Sequence, residues 1–352
     1  MTRRASRTLM RVLSVTTVVG LGAYGYSHRD HTQAFEGTPA SKPKGVTMLA
    51  SAEGEAPLKK AEEKKGDGKP VIGAATTKPS GSPGAREEAK PASASIPADA
   101  QRVLSEGKTK IDGNELTAGR KVLNDALMGG QLAGADAVAA KQLIGEANKM
   151  LIFSPRRFND DPWAGTHPVA PGEVLAKIAL KYGVTPELLL QMNGMTDARK
   201  LRAGSTIKVL HGPFHLVISK QTFNMDIYLG SPGEKGAEFV TSFQVGLGKD
   251  DGTPAGTWII SDRIPNPKWW GARGQAPIEA GDPKNPLGKY WLALTGIDGK
   301  AEGQQSYGIH GTIEPESIGK QASMGCIRMR NEDVSVVYSL VVSGKSTVVV
   351  RD

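Results

Sequence analysis

Residues 27–96 contain no hydrophobic period able to close a core. Ser41–Gly45, Glu55–Pro70 and Thr76–Ser95 are runs of Lys, Glu, Pro, Gly, Ala and Ser. Burial in such sequence cannot offset the entropy of ordering it, so the pattern predicts a disordered linker over 27–96. Folding is thereby confined to the residues beyond 96. The 352-residue chain carries 43 Gly and 22 Pro against only 5% aromatics, because this stretch dilutes something globular.

The formal net charge is +8. The lysines of the first hundred residues have no interleaved aromatics, which argues against a nucleic-acid partner and for a solvated tail or attraction to an anionic envelope. One cysteine, Cys326, excludes an intrachain disulfide, so redox compartment cannot be read from pairing. Residues 1–26 begin with the basic Thr2–Arg7 and continue as Val12–Tyr26, apolar apart from Ser14, Thr16 and Thr17. That run is short for a membrane span and fits the apolar region of an export signal. No clean cleavage site comes after it, so a signal peptide and an uncleaved anchor in the inner membrane both stand. Either places the protein in the cell envelope, periplasmic or extracytoplasmic.

Between 97 and 154 apolar residues recur at helical intervals: Leu116, Val122, Leu123, Ala126 and Leu127, then Ala140, Leu143, Ile144, Ala147 and Leu151. Gly129-Gly130 separates the two runs and Asp136 is placed to open the second. A helical hairpin is expected, with room for a third helix over 98–106 and with spacing as its role ahead of docking. Residues 165–210 read differently. A short strand at 168–170, a turn at Pro171-Gly172, a helix ending at Gly183, a second helix capped by Thr185 with Pro186 in its first turn, and a strand at 206–210 make a βααβ plan. From 213 to 352 the chain alternates as strands at 215–219, 225–229, 239–245, 291–294 and 348–350, with a helix at 331–342. The glycine-rich Gly246–Gly256 lacks the Lys-Ser/Thr and subsequent helix of a phosphate loop. Pro265–Gly281, with Trp269 and Trp270, is the long loop expected to overhang a site.

The chemistry concentrates in Tyr307–Asn331. A thiol attacks well only as thiolate and needs a neighbouring base. His310 closes a short apolar run, and Cys326 lies in a glycine turn ahead of a helix, a placement that can bring the two together. The six histidines (28, 32, 167, 211, 215 and 310) show no metal-ligand spacing with carboxylates, and neither metal nor other cofactor is expected.

His310-Gly311 and, after a spacer, Ser323-Met324-Gly325-Cys326-Ile327-Arg328 resemble the signature of the L,D-transpeptidase (YkuD-like) catalytic domain. Thr253-Pro254-Ala255-Gly256 and Asn285–Trp291 are similar to further family segments. Met324 stands where many members have a second histidine. Residues 165–210, through their Pro-Gly-Glu, Tyr-Gly-Val, Asn-Gly and Ala-Gly-Ser steps, resemble a LysM domain. The resemblance implies a multidomain chain: a mainly-β sandwich or barrel with a short helix at 213–352, preceded by a small α+β LysM domain and the helical hairpin.

It also implies roles. Cys326 is the nucleophile and His310 the base, with the Gly311 carbonyl orienting the imidazole. The N–H groups of Gly325 and Cys326 are oxyanion donors, Ser323 fixes the loop, and Arg328 holds a substrate carboxylate or forms a structural salt bridge. Met324, Trp291 and Tyr290 are candidates for stem-peptide contact, and Asn193 and Gly172 for glycan contact. The implied partner is peptidoglycan. The implied reaction is acyl transfer to a diaminopimelate amine or a protein lysine, with hydrolysis (a carboxypeptidase) and a catalytically inert wall-binding protein as alternatives.

Overall fold

The computed structural model describes residues 98–271 and 275–352. The expected signal segment and linker lie outside the described residues. Three helices lead: α1 (Ala98–Asp112), α2 (Leu116–Met128) and α3 (Gly134–Leu151). The hairpin pattern underestimated α1, which runs on to Asp112 before Asn114, at φ +64°, turns the chain. Asp136 does not cap α3. It sits in the first turn, and the cap residue, Ala133, makes no side-chain bond.

The next unit is β1 (Ala164–Pro168), α4 (Leu175–Tyr182), α5 (Pro186–Gln191) and β2 (Thr206–Leu210), with β1 and β2 antiparallel. The first strand lies earlier than the pattern of 168–170 suggested. Ala170 instead enters the turn, its N–H donating to Glu173 Oε2 at 2.9 Å, while the same carboxylate meets His167 Nε2 at 2.9 Å. Gly183, at φ +67°, ends α4 with a left-handed cap. Thr185 caps α5 by accepting from the Leu188 N–H at 3.0 Å.

The remaining elements are β3 (Phe214–Ser219), β4 (Asn224–Leu229), β5 (Glu238–Gln244), β6 (Leu247–Gly248), β7 (Gly256–Pro265), β8 (Tyr290–Gly299), β9 (Tyr307–His310), β10 (Gln321–Ser323), β11 (Ile327–Arg328), α6 (Asn331–Leu340) and β12 (Thr347–Arg351). Eight strands form one curled sheet in the order β11-β9-β8-β7-β12-β3-β4-β5, and β10 pairs with β6 beside it. Within the eight-stranded sheet the pairs β11–β9 and β12–β3 are parallel and the others antiparallel, and β10–β6 is parallel. Leu216, Ile218, Trp258, Ile260, Leu292, Ile309 and Val337 fill the core between this sheet and α6.

The helices are fastened to the β5 edge. Leu123, Ala126, Ala140 and Ile144 pack with Phe239. An edge strand exposes unpaired backbone groups, and here side-chain amides meet them. Asn124 Nδ2 donates to the Phe239 carbonyl (3.1 Å) while its Oδ1 accepts the Phe239 N–H (3.0 Å). Val240 is skipped in the register with β4, and its carbonyl accepts from Asn148 Nδ2 at 2.9 Å. Behind the asparagines Arg120 Nη2 meets Asp161 Oδ1 at 2.5 Å, both side chains buried, and the guanidinium lies 3.6 Å from the Trp163 ring centroid. Lys208 of β2 buries its ammonium among the carbonyls of Leu151 (2.6 Å), Ser154 (3.1 Å) and Arg156 (2.8 Å) at the end of α3.

The βααβ unit docks on α6. Thr185 Oγ1 donates to the Ser339 carbonyl. Arg263 of β7 donates to the Tyr338 carbonyl (2.7 Å), pairs with Glu187 of α5 (3.2 Å) and lies over the Tyr338 ring (4.1 Å).

Candidate active site

β9 and β11 place the histidine and the cysteine. Ile327 pairs with Ile309 and Arg328 with His310, in parallel. Cys326 immediately precedes β11, so it stands alongside Gly308, and alternation puts its side chain on the His310 face. Cys326 is half-buried and His310 buried. The imidazole is held on two sides. Nδ1 meets the Gly311 carbonyl at 2.6 Å, which requires that nitrogen to carry the proton, since a carbonyl only accepts. The Trp291 ring stacks on the imidazole with centroids 5.5 Å apart and planes at 19°. A neutral His310 then keeps its basic lone pair on Nε2.

The turn 323–326 is locked by hydroxyls. Ser323 Oγ donates to the Cys326 carbonyl (2.6 Å) and accepts the Gly325 N–H (3.1 Å). Thr253 Oγ1 donates to the Gly325 carbonyl (2.9 Å) and accepts the Gly248 N–H (2.9 Å). Gly325 has φ +137°, and a Cβ there would lie 2.8 Å from Tyr307 Cε1 and 2.9 Å from the Gly252 carbonyl oxygen. Only glycine fits. Burial first, and neighbouring Cys326 second, raise the Tyr307 phenol above its ordinary range.

Three of the expected site groups are engaged within the chain. The Gly325 N–H, expected as an oxyanion donor, is engaged by Ser323 Oγ. Tyr290, expected at the substrate, stacks on Tyr338 with centroids 4.3 Å apart. Asn193 uses its amide inside its own domain, donating to the carbonyls of Leu189 (2.8 Å) and Lys208 (2.9 Å) and accepting the Lys208 N–H (2.7 Å), which closes the fold.

Arg328 is buried and donates through Nη1 to Glu314 Oε2 at 2.7 Å, so the carboxylate it holds here comes from the chain. Met324 is 49% exposed beside the cysteine turn, free to meet a substrate. Gly172, at φ +77°, is exposed in its turn with nothing within 4 Å of a Cβ position. Trp269 and Ile278 form an isolated antiparallel bridge within the 265–281 stretch, and Trp270 is 54% exposed. Sequence reasoning missed Thr253 as part of the site, although the Thr-Pro-x-Gly segment marked its neighbourhood. It also missed Asn331, whose signal is only a polar residue opening a helix. Among the described residues no group of three or more His, Cys, Asp or Glu side chains is arranged to hold a metal.

Residues 214–350 match the family model of the L,D-transpeptidase catalytic domain (YkuD), and residues 167–210 that of the LysM domain. The putative L,D-transpeptidase YkuD of Bacillus licheniformis is 33% identical over 184 residues, covering 50% of this chain and 93% of that one. The chain belongs to the L,D-transpeptidase family. The protein of that name from Bacillus subtilis is 31% identical over 194 residues, 53% of this chain and 99% of the relative. An L,D-transpeptidase structure from Mycobacterium smegmatis superposes at TM-score 0.29 and 14% identity over 42% of this chain and 64% of that one, too low to bear on the site. Family membership therefore rests on the sequence relatives, and the roles at the site on this chain's own geometry.

Proposed function

We propose that this L,D-transpeptidase works as a cysteine acyltransferase on peptidoglycan stem peptides, in the cell envelope, with the LysM domain holding glycan. The observation that carries the reading is the Nδ1–H donation of His310 to the Gly311 carbonyl at 2.6 Å, beside the Cys326 turn. It fixes one tautomer and leaves Nε2 as the proton acceptor.

Cys326 Sγ, its proton passed to His310 Nε2, attacks the carbonyl that joins an L-centre to the adjoining D-residue. The tetrahedral oxyanion is met by the backbone N–H of Cys326, since that of Gly325 is given to Ser323 Oγ. Losing such a donor costs on the order of 100- to 1000-fold in rate. The carbon–nitrogen bond breaks, His310 returns the proton to the departing D-amino acid amine, and a thioester on Cys326 remains. An incoming amine gives its proton to His310, attacks the thioester and leaves a new amide with the thiol restored. The half-exposed Cys326 and exposed Met324 leave room for that second substrate.

The test is mass spectrometry of disaccharide-tetrapeptide muropeptides incubated with the full chain beside Cys326→Ala. A dimer lighter than two substrates by one D-alanine, absent with the variant, supports the reading. Tripeptide alone makes the protein a carboxypeptidase. No change on substrate of the right stem composition makes it a wall-binding protein.

A further inference from the structure

The peptide whose carbonyl orients His310 is flanked by contacts from a residue with no place in the acyl-transfer steps. Asn331 opens α6. Its Nδ2 donates to the Thr312 carbonyl at 2.9 Å, which fixes which end of the amide is oxygen, because a swapped amide would set two oxygens face to face. Its Oδ1 is buried and accepts no hydrogen bond from any described residue. A Cβ on Gly288 or on Gly311 would come within 2.0 Å of that oxygen. The oxygen is thus seated between two glycine α-carbons. A buried polar atom without a donor ordinarily costs stability, so its seat calls for a reason.

We propose that Asn331 is a positioning residue for His310, acting through the Gly311 peptide. The amide grips the chain on both sides of the Gly311 carbonyl: Oδ1 against the Gly311 α-carbon, Nδ2 on the next carbonyl along. The two contacts hold the Gly311 α-carbon and the peptide after Thr312, the ends between which the 311–312 peptide turns, and so set where the Gly311 carbonyl stands relative to His310 Nδ1. Gly288, at φ +65° in the turn before β8, is the opposite wall of the seat. This explains on packing grounds why Gly288 and Gly311 must both lack side chains, although only Gly311 neighbours the histidine. The inference rests on the acyl-transfer reading for its consequence, and on geometry alone for the tautomer it enforces.

The test reads the ring directly. Full chain labelled with 15N-histidine is prepared in a Cys326→Ala background, at a pH where the imidazole is neutral, and His310 is assigned by its loss in His310→Gln. The parent should show a single Nδ1–H tautomer. Asn331→Ala, the isosteric Asn331→Asp, which keeps the shape and loses the donor, and Gly288→Ala should each show a mixture of tautomers. With Cys326 restored, transfer per folded molecule should fall by roughly ten- to a hundredfold, the range for one lost hydrogen bond to a critical group.

An Nε2–H parent, or an unchanged Nδ1–H tautomer in folded Asn331→Asp and Gly288→Ala, overturns the proposal. If the protein with Cys326 restored transfers nothing while the tautomers shift as expected, the acyl-transfer reading fails and the positioning role stands.

Discussion

The two edges of the sheet are finished in opposite ways. At β5 the free backbone groups are met by side chains from far along the chain, Asn124 and Asn148, backed by the buried Arg120–Asp161 pair. At β11 the outer side is met by backbone: Gly246 and Arg328 exchange N–H···O bonds in both directions at 2.9 Å. Side-chain closure can be removed by one substitution and seals an edge that does no chemistry. Backbone closure tolerates substitution of its side chains but demands glycine where chains approach, and it sits next to Cys326 and His310. The molecule sets its reactive turn where the main chain, rather than long flexible side chains, fixes position.

That contrast predicts effects that separate by edge. The largest is on stability at β5: Asp161→Ala leaves the Arg120 guanidinium buried without its carboxylate and should cost about 3–5 kcal/mol. Calorimetry should show the lost stability, while transfer per folded molecule is kept. A drop in specific activity as large as the drop in folded fraction cannot explain would break the comparison. Asn124→Ala comes next. It strips both partners from Phe239 and should cost about 1–3 kcal/mol, read as faster exchange of the Phe239 amide and easier proteolysis between α1–α3 and the sheet. Unchanged protection at Phe239 would mean that apolar packing alone seals the edge.

The smallest effect concerns Lys208. Burial, opposed by Asp161 and reinforced by Arg157 and Arg120, pushes its ammonium down to about 8 from an ordinary 10.5. The unfolded chain therefore binds the proton more tightly, and stability rises as pH climbs from about 8 towards 10.5. Lys208→Met lacks that increment. The melting temperature of the parent relative to Lys208→Met should increase across this window, and parallel curves would sharpen the comparison by showing that the carbonyl cage holds the charge at no penalty.

Legibility in the sequence divides along the same line. The His310-Gly311 and Ser323–Arg328 segments, the LysM steps and the strand periods were readable because each is local: a turn, a cap or an alternation within a few residues. The β5 seal was not, since nothing near Asn124 or Asn148 announces Phe239 and Val240 as partners. The helices at 98–151 accordingly read as a spacer, whereas the fold uses them as the wall of the sheet. The contacts of Tyr290 and Asn193 were hidden for a related reason. Their neighbours in sequence marked a site and a glycan loop, while their side chains are committed to Tyr338 and to the β2 backbone. Asn331 escaped notice because its meaning lies in two glycines on other elements.

The central claim is that acyl groups pass through Cys326. Its most direct test is intact-mass spectrometry of the full chain, quenched in acid within the first turnover on disaccharide-tetrapeptide. The account predicts an adduct equal to the disaccharide-tripeptide acyl group, mapped by digestion to the Cys326 peptide, labile to hydroxylamine as a thioester, and missing from Cys326→Ala. Product formation by Cys326→Ala, or an adduct on any other residue, would contradict it.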